Sequence, residues 1–334
     1  MKKTKSKTKT NKSKTKKLKT KSATLVGIIA PAGPAPEVEL MQGGERLLKE
    51  GYSVFLHPQV AKVSGLFSGN DTERALGFLD YAFDPEISIL WAARGGYGSI
   101  RILPILDEIT LQVGMPPHKT LIGFSDNTIL LEYVKRKWGW RVIHGPMPAT
   151  HHFERVKGKA WKNMIDLVDA KRKSIKKKLT PVFVPKGFRK VQGELVGGNL
   201  CTIVSALKTP YELDLQGKIL FLEDIGEPPY KLDRMIQQLV LSESLSGVRA
   251  IVLGEFTLCQ DSVPEVYADS KKKKLKPMRK LLSEKEVLQQ VFAELGMELG
   301  IPIWRGLPVG HGMGVEAIEL GVPTHIDAQG VIQI

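Results

Sequence analysis

The chain has 334 residues, enough for one large domain or two of ordinary size, and 42% of them are hydrophobic, enough for a sizeable core. The net charge of +14 is concentrated in residues 1–22, MKKTKSKTKTNKSKTKKLKTKS, which hold eleven lysines and no acid and leave about +3 on the rest, so charge does not make the body of the protein a nucleic-acid-type surface. Cys201 and Cys259 each stand alone in an apolar setting, with no CxxC and no Cys/His cluster; this argues against a zinc site and predicts two buried thiols in a reducing compartment.

The Lys/Thr/Ser tail has almost nothing to bury and is expected to be disordered. It reads as a solvated arm, or as a weak contact for a polyanion such as nucleic acid or an anionic membrane surface. Next comes TLVGIIA (24–30), closed by PAGP. A basic stretch before an apolar run imitates a secretion signal. Here the basic part is too long, and Pro31, Gly33 and Pro34 break the run. The run is therefore read as a first buried strand and the protein as cytoplasmic. No apolar stretch approaches the ~18 residues of a membrane span.

Strand and helix patterns then alternate. EVELMQGGERLLKEG is a helix, YSVFL a strand, and DTERALGFLDYAFD a helix begun by an Asp cap. EISILWAA is a strand that runs into RGGYGS and a short helix, IRILPILDE. KTLIGF is a strand followed by a helix after Ser125, and RVIHGPM is another strand. The alternation over residues 23–150 predicts an N-terminal flavodoxin- or Rossmann-like α/β domain with a parallel sheet. Residues 151–190 read as a linker with a surface helix. Residues 191–334 read as a C-terminal mixed α/β domain, with strands in VQGELVGG, KILFLED, RAIVLGEF, VEAIEL and GVIQI. Its helices are NLCTIVSAL, YKLDRMIQQLVL and EKEVLQQVFAELG. Leu232, Met235, Ile236 and Leu239 make a stripe that reads as core. ADSKKKKLKPMRK (268–280) is a basic surface loop.

RGGYGS (94–99) sits between strand and helix, but it lacks the G-x-G-x-x-G spacing, a following acid and a Walker lysine. Its remaining functional use is open backbone N–H groups that could hold an oxyanion; its plain use is a tight turn. Ser125, in LIGFSDNTIL, is either a helix cap or a hydroxyl on a G-x-S-x elbow above the sheet's C-terminal edge, where open α/β sheets carry their sites. Asn127 occupies the last Gly position of that elbow. A nucleophilic serine needs a base, and His311 in PVGHGMG and His144 in VIHGPM compete. The orienting acid is Glu223 or Asp224, since an apolar strand ending in two carboxylates must partner at least one of them.

GIIAPAGP, AARGGYGSIRILPILD, LIGFSDNTIL, HGPM, GELVGGNL, FLEDIGEPPYKLDRMIQQL and GLPVGHG together resemble the LD-carboxypeptidase family of serine peptidases, which includes muramoyltetrapeptide carboxypeptidases and microcin C-degrading immunity proteins. The resemblance implies Ser125 as nucleophile, Glu223 as acid, His311 as base, and an oxyanion hole from the backbone N–H groups of Asp126 and Gly96. It implies a homodimer that needs no metal or nucleotide cofactor and releases D-Ala from murein tetrapeptide. The substrate carboxylate calls for a cation or open N–H groups near Ser125; Arg94, Arg101 and Arg234 are the candidate cations by proximity to the motifs. Glu319 stands where the family pattern leads one to expect a proline. Two rivals remain: a peptidase of the same family acting on peptidyl nucleotides, with Trp161 or Trp304 as a platform for the base, and a polyanion-binding module on an inactive hydrolase fold.

Overall fold

The computed structural model describes residues 24–171, 175–261, 280–312 and 316–334. The Lys-rich tail and nearly all of the 268–280 loop lie outside the described residues.

The N-terminal half builds a six-stranded sheet from β1 (Leu25–Ile29), β2 (Ser53–Leu56), β3 (Ile87–Ala92), β4 (Thr120–Gly123) and β5 (Arg141–His144), with one strand from far down the chain. The first five run parallel in the order 2-1-3-4-5. That is the flavodoxin-like doubly wound order, in which ligands gather outside the carboxyl ends of the strands where the order reverses. The helices between them are α1 (Glu37–Lys49), α2 (Asp71–Phe83), α3 (Ser99–Val113) and α4 (Thr128–Trp138). Side chains on the strands alternate between two cores. Leu90, Leu121 and Val142 face one; Ile89, Trp91, Ile122 and Ile143 face the other.

Three local readings change. The cap of α2 is Asn70, not Asp71: its side chain accepts from the Glu73 N–H, and the Glu73 carboxylate accepts from the Asn70 N–H, each at 2.9 Å. Asp71 lies inside the first turn and is free to pair with arginines. Helix α3 continues to Val113 and stops at Gly114, whose φ of +92° ends it. The stretch 151–190, expected as a linker with a surface helix, holds α5 (His151–Arg155), α6 (Gly158–Val168), β6 (Lys176–Lys178) and β7 (Thr180–Phe183). Trp161, Met164, Ile165, Leu167 and Val168 of α6 are buried in the second core because they fall on one helical stripe.

The second sheet has eight strands in the order β6-β14-β13-β8-β9-β10-β11-β7. They include β8 (Lys190–Asn199), β9 (Ile219–Ile225), β10 (Ala250–Thr257), β11 (Ile303–Gly310), β13 (Pro323–Asp327) and β14 (Val331–Gln333). The four strands β8 to β11 are parallel and the edges antiparallel. Helices α7 (Leu200–Ser205), α8 (Pro229–Leu241) and α9 (Glu284–Leu299) accompany them, with Leu232, Ile236 and Leu239 of the expected stripe buried. Leu200 and Ile203 of α7 face inward, which turns Cys201 outward: it is exposed, contrary to expectation, while Cys259 is buried.

Two links tie the sheets together. Helix α4 is buried from Thr128 through Val134, and its core continues into Leu195, Val196 and Leu220 of the second sheet. Strand β12 (Ile318–Leu320), expected in the C-terminal half, crosses back and pairs antiparallel with β5. Glu319, at the unusual position, bonds the Arg141 guanidinium at 2.5 and 2.9 Å. No helix among the described residues is long and apolar enough to cross a membrane.

Candidate active site

Strand β4 ends at Gly123, and after Phe124 the chain turns through one 3-10 turn, Ser125–Asn127, into α4. Ser125 has φ of +61°, a left-handed conformation that costs a non-glycine residue on the order of 1–3 kcal/mol. Such strain persists only where the surroundings over-determine it, and here they do. The Thr128 hydroxyl donates to the Ser125 carbonyl at 2.7 Å. Asn127, at the missing-glycine position, donates from Nδ2 to the Phe124 and Arg94 carbonyls at 3.2 Å. The buried Asp126 carboxylate accepts from the Ser99 N–H at 2.8 Å, and the Ser99 hydroxyl donates to the Asp126 carbonyl. Burial raises the pKa of Asp126, although these donors and Arg74 oppose the shift. The Ser125 hydroxyl caps no helix. The half-buried Ser125 thus does not serve as the helix cap, and it lines a cavity instead.

The loop after β3 closes on this turn. A Cβ on Gly95 would lie 2.9 Å from Ser125 Cβ and 3.3 Å from the Asp126 nitrogen, so only glycine lets the loop approach so near. The Gly95 carbonyl accepts from the Gly33 N–H at 3.0 Å, which joins the loops after β1 and β3 across the switch point. Among the described residues the Gly96 N–H donates to no backbone acceptor, and Asp126 lies in the first turn of its helix, where N–H groups lack intrahelical partners.

Glu223 and Asp224 end β9, and successive strand residues face opposite ways. Glu223 is fully buried, and its Oε2 lies 2.6 Å from His311 Nδ1. Asp224 turns to the other side and accepts from Asn199 Nδ2 at 2.9 Å, the Cys201 N–H at 3.0 Å and the Ile225 N–H at 2.8 Å. It thus ties down the start of α7, and burial pushes its pKa up to about 6. His311 follows directly on β11. Gly310 before it has φ of +135°, and a Cβ there would stand 3.0 Å from Glu223 Oε2. Burial alone would lower the His311 pKa; the Glu223 carboxylate overcomes this, with help from Asp224 and Glu255, and the net shift is upward. With Nδ1–H given to the carboxylate, Nε2 is the basic nitrogen of the ring.

His311 and Ser125 line the same cavity of about 320 Å³, with Arg94, Gly95, Gly96, Phe124, His151 and His152 among its walls. The His311 ring lies 4.7 Å from that of Phe124, the residue before the serine. His144, the competing base, is fully buried behind Phe124 and Phe221 and does not reach the cavity. Burial pushes its pKa to about 4. Of the three arginines only Arg94 lines the cavity. Arg101 is held by Asp71 at 2.8–3.0 Å, and Arg234 lies over Tyr230.

Sequence reasoning missed His152. It is buried, its Nε2 lies 2.8 Å from the His311 carbonyl, and burial lowers its pKa to about 4, so the neutral ring donates to that carbonyl and fixes the loop that carries His311. Nothing in ATHHFERV distinguishes it from a surface histidine; the partner is 159 residues away.

Residues 26–145 match the N-terminal domain of LD-carboxypeptidases and residues 192–326 match the C-terminal domain. Murein tetrapeptide carboxypeptidase of Pseudomonas aeruginosa is 32% identical over 294 residues, covering 86% of this chain and 88% of that protein. The microcin C7 self-immunity protein of Escherichia coli is 25% identical over 325 residues, covering 89% and 88%. The crystal structure of muramoyltetrapeptide carboxypeptidase from Oxalobacter formigenes superposes with a TM-score of 0.72 at 29% identity, covering 93% of this chain and 97% of that one.

Proposed function

The chain belongs to the LD-carboxypeptidase family, and on that premise we propose that it hydrolyses the L,D-peptide bond of murein tetrapeptide and releases terminal D-Ala through Ser125, His311 and Glu223. The observation that carries this is the 2.6 Å pair between buried Glu223 and His311, on the wall of the cavity that Ser125 also lines.

The Ser125 Oγ attacks the scissile carbonyl while His311 Nε2 takes its proton, and Glu223 holds the imidazole tautomer and balances the imidazolium. The oxyanion lies against the N–H groups of Gly96 and Asp126. Collapse breaks the C–N bond; the D-Ala amine leaves with the proton from His311. Water, deprotonated by the same nitrogen, then hydrolyses the ester and restores the Ser125 hydroxyl. Arg94 meets the free terminal carboxylate. In this reading the enzyme is a cytoplasmic homodimer, and its Lys-rich tail makes at most a weak polyanion contact.

Cleavage of a peptidyl nucleotide is the second reading, favoured by the likeness to the microcin C7 self-immunity protein. Neither tryptophan suggested for it supports it. Trp161 is packed under Arg46 and bonded to Glu50, and Trp304 is buried against Phe188. A polyanion-binding module on an inactive fold would have no use for a buried carboxylate aimed at a cavity histidine. The test is incubation with murein tripeptide, tetrapeptide and pentapeptide, with products identified by mass and Ser125→Ala as control. Tetrapeptide cut to tripeptide and D-Ala, with pentapeptide spared, is the expected result. Cleavage of the pentapeptide's D,D bond, or of aminoacyl-nucleotide amides alone, would sink it.

A further inference from the structure

Arg74, in the first turn of α2, has no solvent exposure at all. Burying a guanidinium is costly unless its donors are used; here Nε finds no partner among the described residues, but Nη1 is spent on the loops around Ser125 and Nη2 on Asp71. Its Nη1 donates to the Pro31 carbonyl at 2.5 Å and the Gly98 carbonyl at 2.7 Å. Nη2 bonds Asp71, and the group lies over the Phe67 ring at 4.8 Å. Pro31 opens the loop after β1; Gly98 closes the loop after β3. The segment 95–98 is therefore held at both ends: the Gly95 carbonyl by Gly33, the Gly98 carbonyl by Arg74. Gly98 has φ of +124°, and a Cβ there would stand 2.9 Å from Arg74 Nη1, so the glycine is what admits the guanidinium. The next residue, Ser99, carries the bonds to Asp126. One buried cation thus joins the β1 loop, the glycine loop and, through Ser99, the serine turn.

We propose that Arg74 is a positioning residue for the oxyanion site, fixing the Gly95–Gly98 segment so that the Gly96 N–H stays aimed beside Ser125. This rests on the serine-peptidase reading given above. A group that acts this way serves the transition state more than substrate binding, because the segment's N–H is aimed at charge that exists only during reaction. A purely structural arginine would affect melting and leave the reaction alone.

The experiment compares wild type, Arg74→Met and Arg74→Lys in three measurements: kcat and KM on tetrapeptide, the melting temperature, and the rate at which a fluorophosphonate labels Ser125. In the labelling step the Ser125 Oγ–P bond forms, the P–F bond breaks, fluoride leaves and His311 takes the hydroxyl proton. The Met variant is expected to lose about 30-fold or more in kcat with KM within about threefold, and to label more slowly by a similar factor. The Lys variant keeps the charge but cannot span both carbonyls and the Asp71 carboxylate with the guanidinium's geometry, so it falls between. If the Met variant does not fold, the Lys variant is judged by the same split between kcat and KM. Lowered melting with kcat and labelling within about threefold of wild type, or a rise in KM alone, overturns the proposal. A wild type that is labelled at Ser125 but leaves tetrapeptide uncut fails the substrate reading only, and the labelling rates still judge Arg74. A wild type not labelled at Ser125 sinks both.

Discussion

Glu223 Oε2 and His311 Nδ1 stand 2.6 Å apart in a buried pair, while Asp224, one residue on, spends both its oxygens on Asn199 and the start of α7. Two adjacent carboxylates thus have separate tasks, one facing the cavity histidine and one holding the scaffold. Glu223→Gln, Ser125→Ala and His311→Ala should each leave a folded protein with turnover down roughly 10³-fold or more. Asp224→Asn should act mainly on stability, costing about 1–3 kcal/mol, with turnover affected far less. Turnover on tetrapeptide and urea unfolding of the four variants check this; near-full rate in Glu223→Gln with loss in Asp224→Asn would assign the acid to the wrong residue.

The raised pKa of His311 has a readable consequence. A base must be neutral in the free enzyme, so kcat/KM should rise with pH through an apparent pKa above the ordinary histidine value of 6.5. Glu223→Gln removes the main cause of the rise and leaves burial, so the residual activity should titrate at lower pH. Stability moves the opposite way. A raised folded pKa stabilises below the unfolded value of about 6.5 and that contribution fades as pH climbs through the folded pKa. A kcat/KM profile of wild type with its limb below pH 6.5 would contradict the pairing.

Arg94 is the only one of the three candidate arginines on the cavity wall. Arg94→Ala should raise KM for tetrapeptide about 10–100-fold, the scale of one lost charge-assisted contact, and should change little for a C-terminally amidated tetrapeptide, itself a poor substrate. Arg234→Ala should leave both nearly unchanged. Equal losses on acid and amide substrates would remove Arg94 from carboxylate binding.

Deleting residues 1–22 takes away eleven lysines. Turnover on small substrates and melting temperature should stay nearly unchanged, because a segment with so little to bury adds few contacts. Retention on heparin at low salt should fall, and its steep salt dependence with it. A large drop in turnover would mean that the arm docks near the cavity.

The sequence by itself determined the alternation of strands and helices, and therefore that Ser125 stands where a buried strand passes into a helix. Apolar runs and helical stripes are local, and a period of two or 3.6 can be read within one segment. It also carried the motifs that implied Glu223 and His311. Which of Glu223 and Asp224 pairs with His311, that His144 stays buried away from the cavity, and that Arg94 rather than Arg101 or Arg234 lines it are features of the tertiary structure alone. Strand alternation puts two adjacent carboxylates on opposite faces, but which face meets a histidine 88 residues away depends on how β9 and β11 flank β10. The role of His152, whose partner is more distant still, left no local trace, and β12, legible as a strand in VEAIEL, gave no local sign that it would leave its own half to pair with β5. Their positions come from packing and hydrogen bonds between segments that only the folded chain brings together.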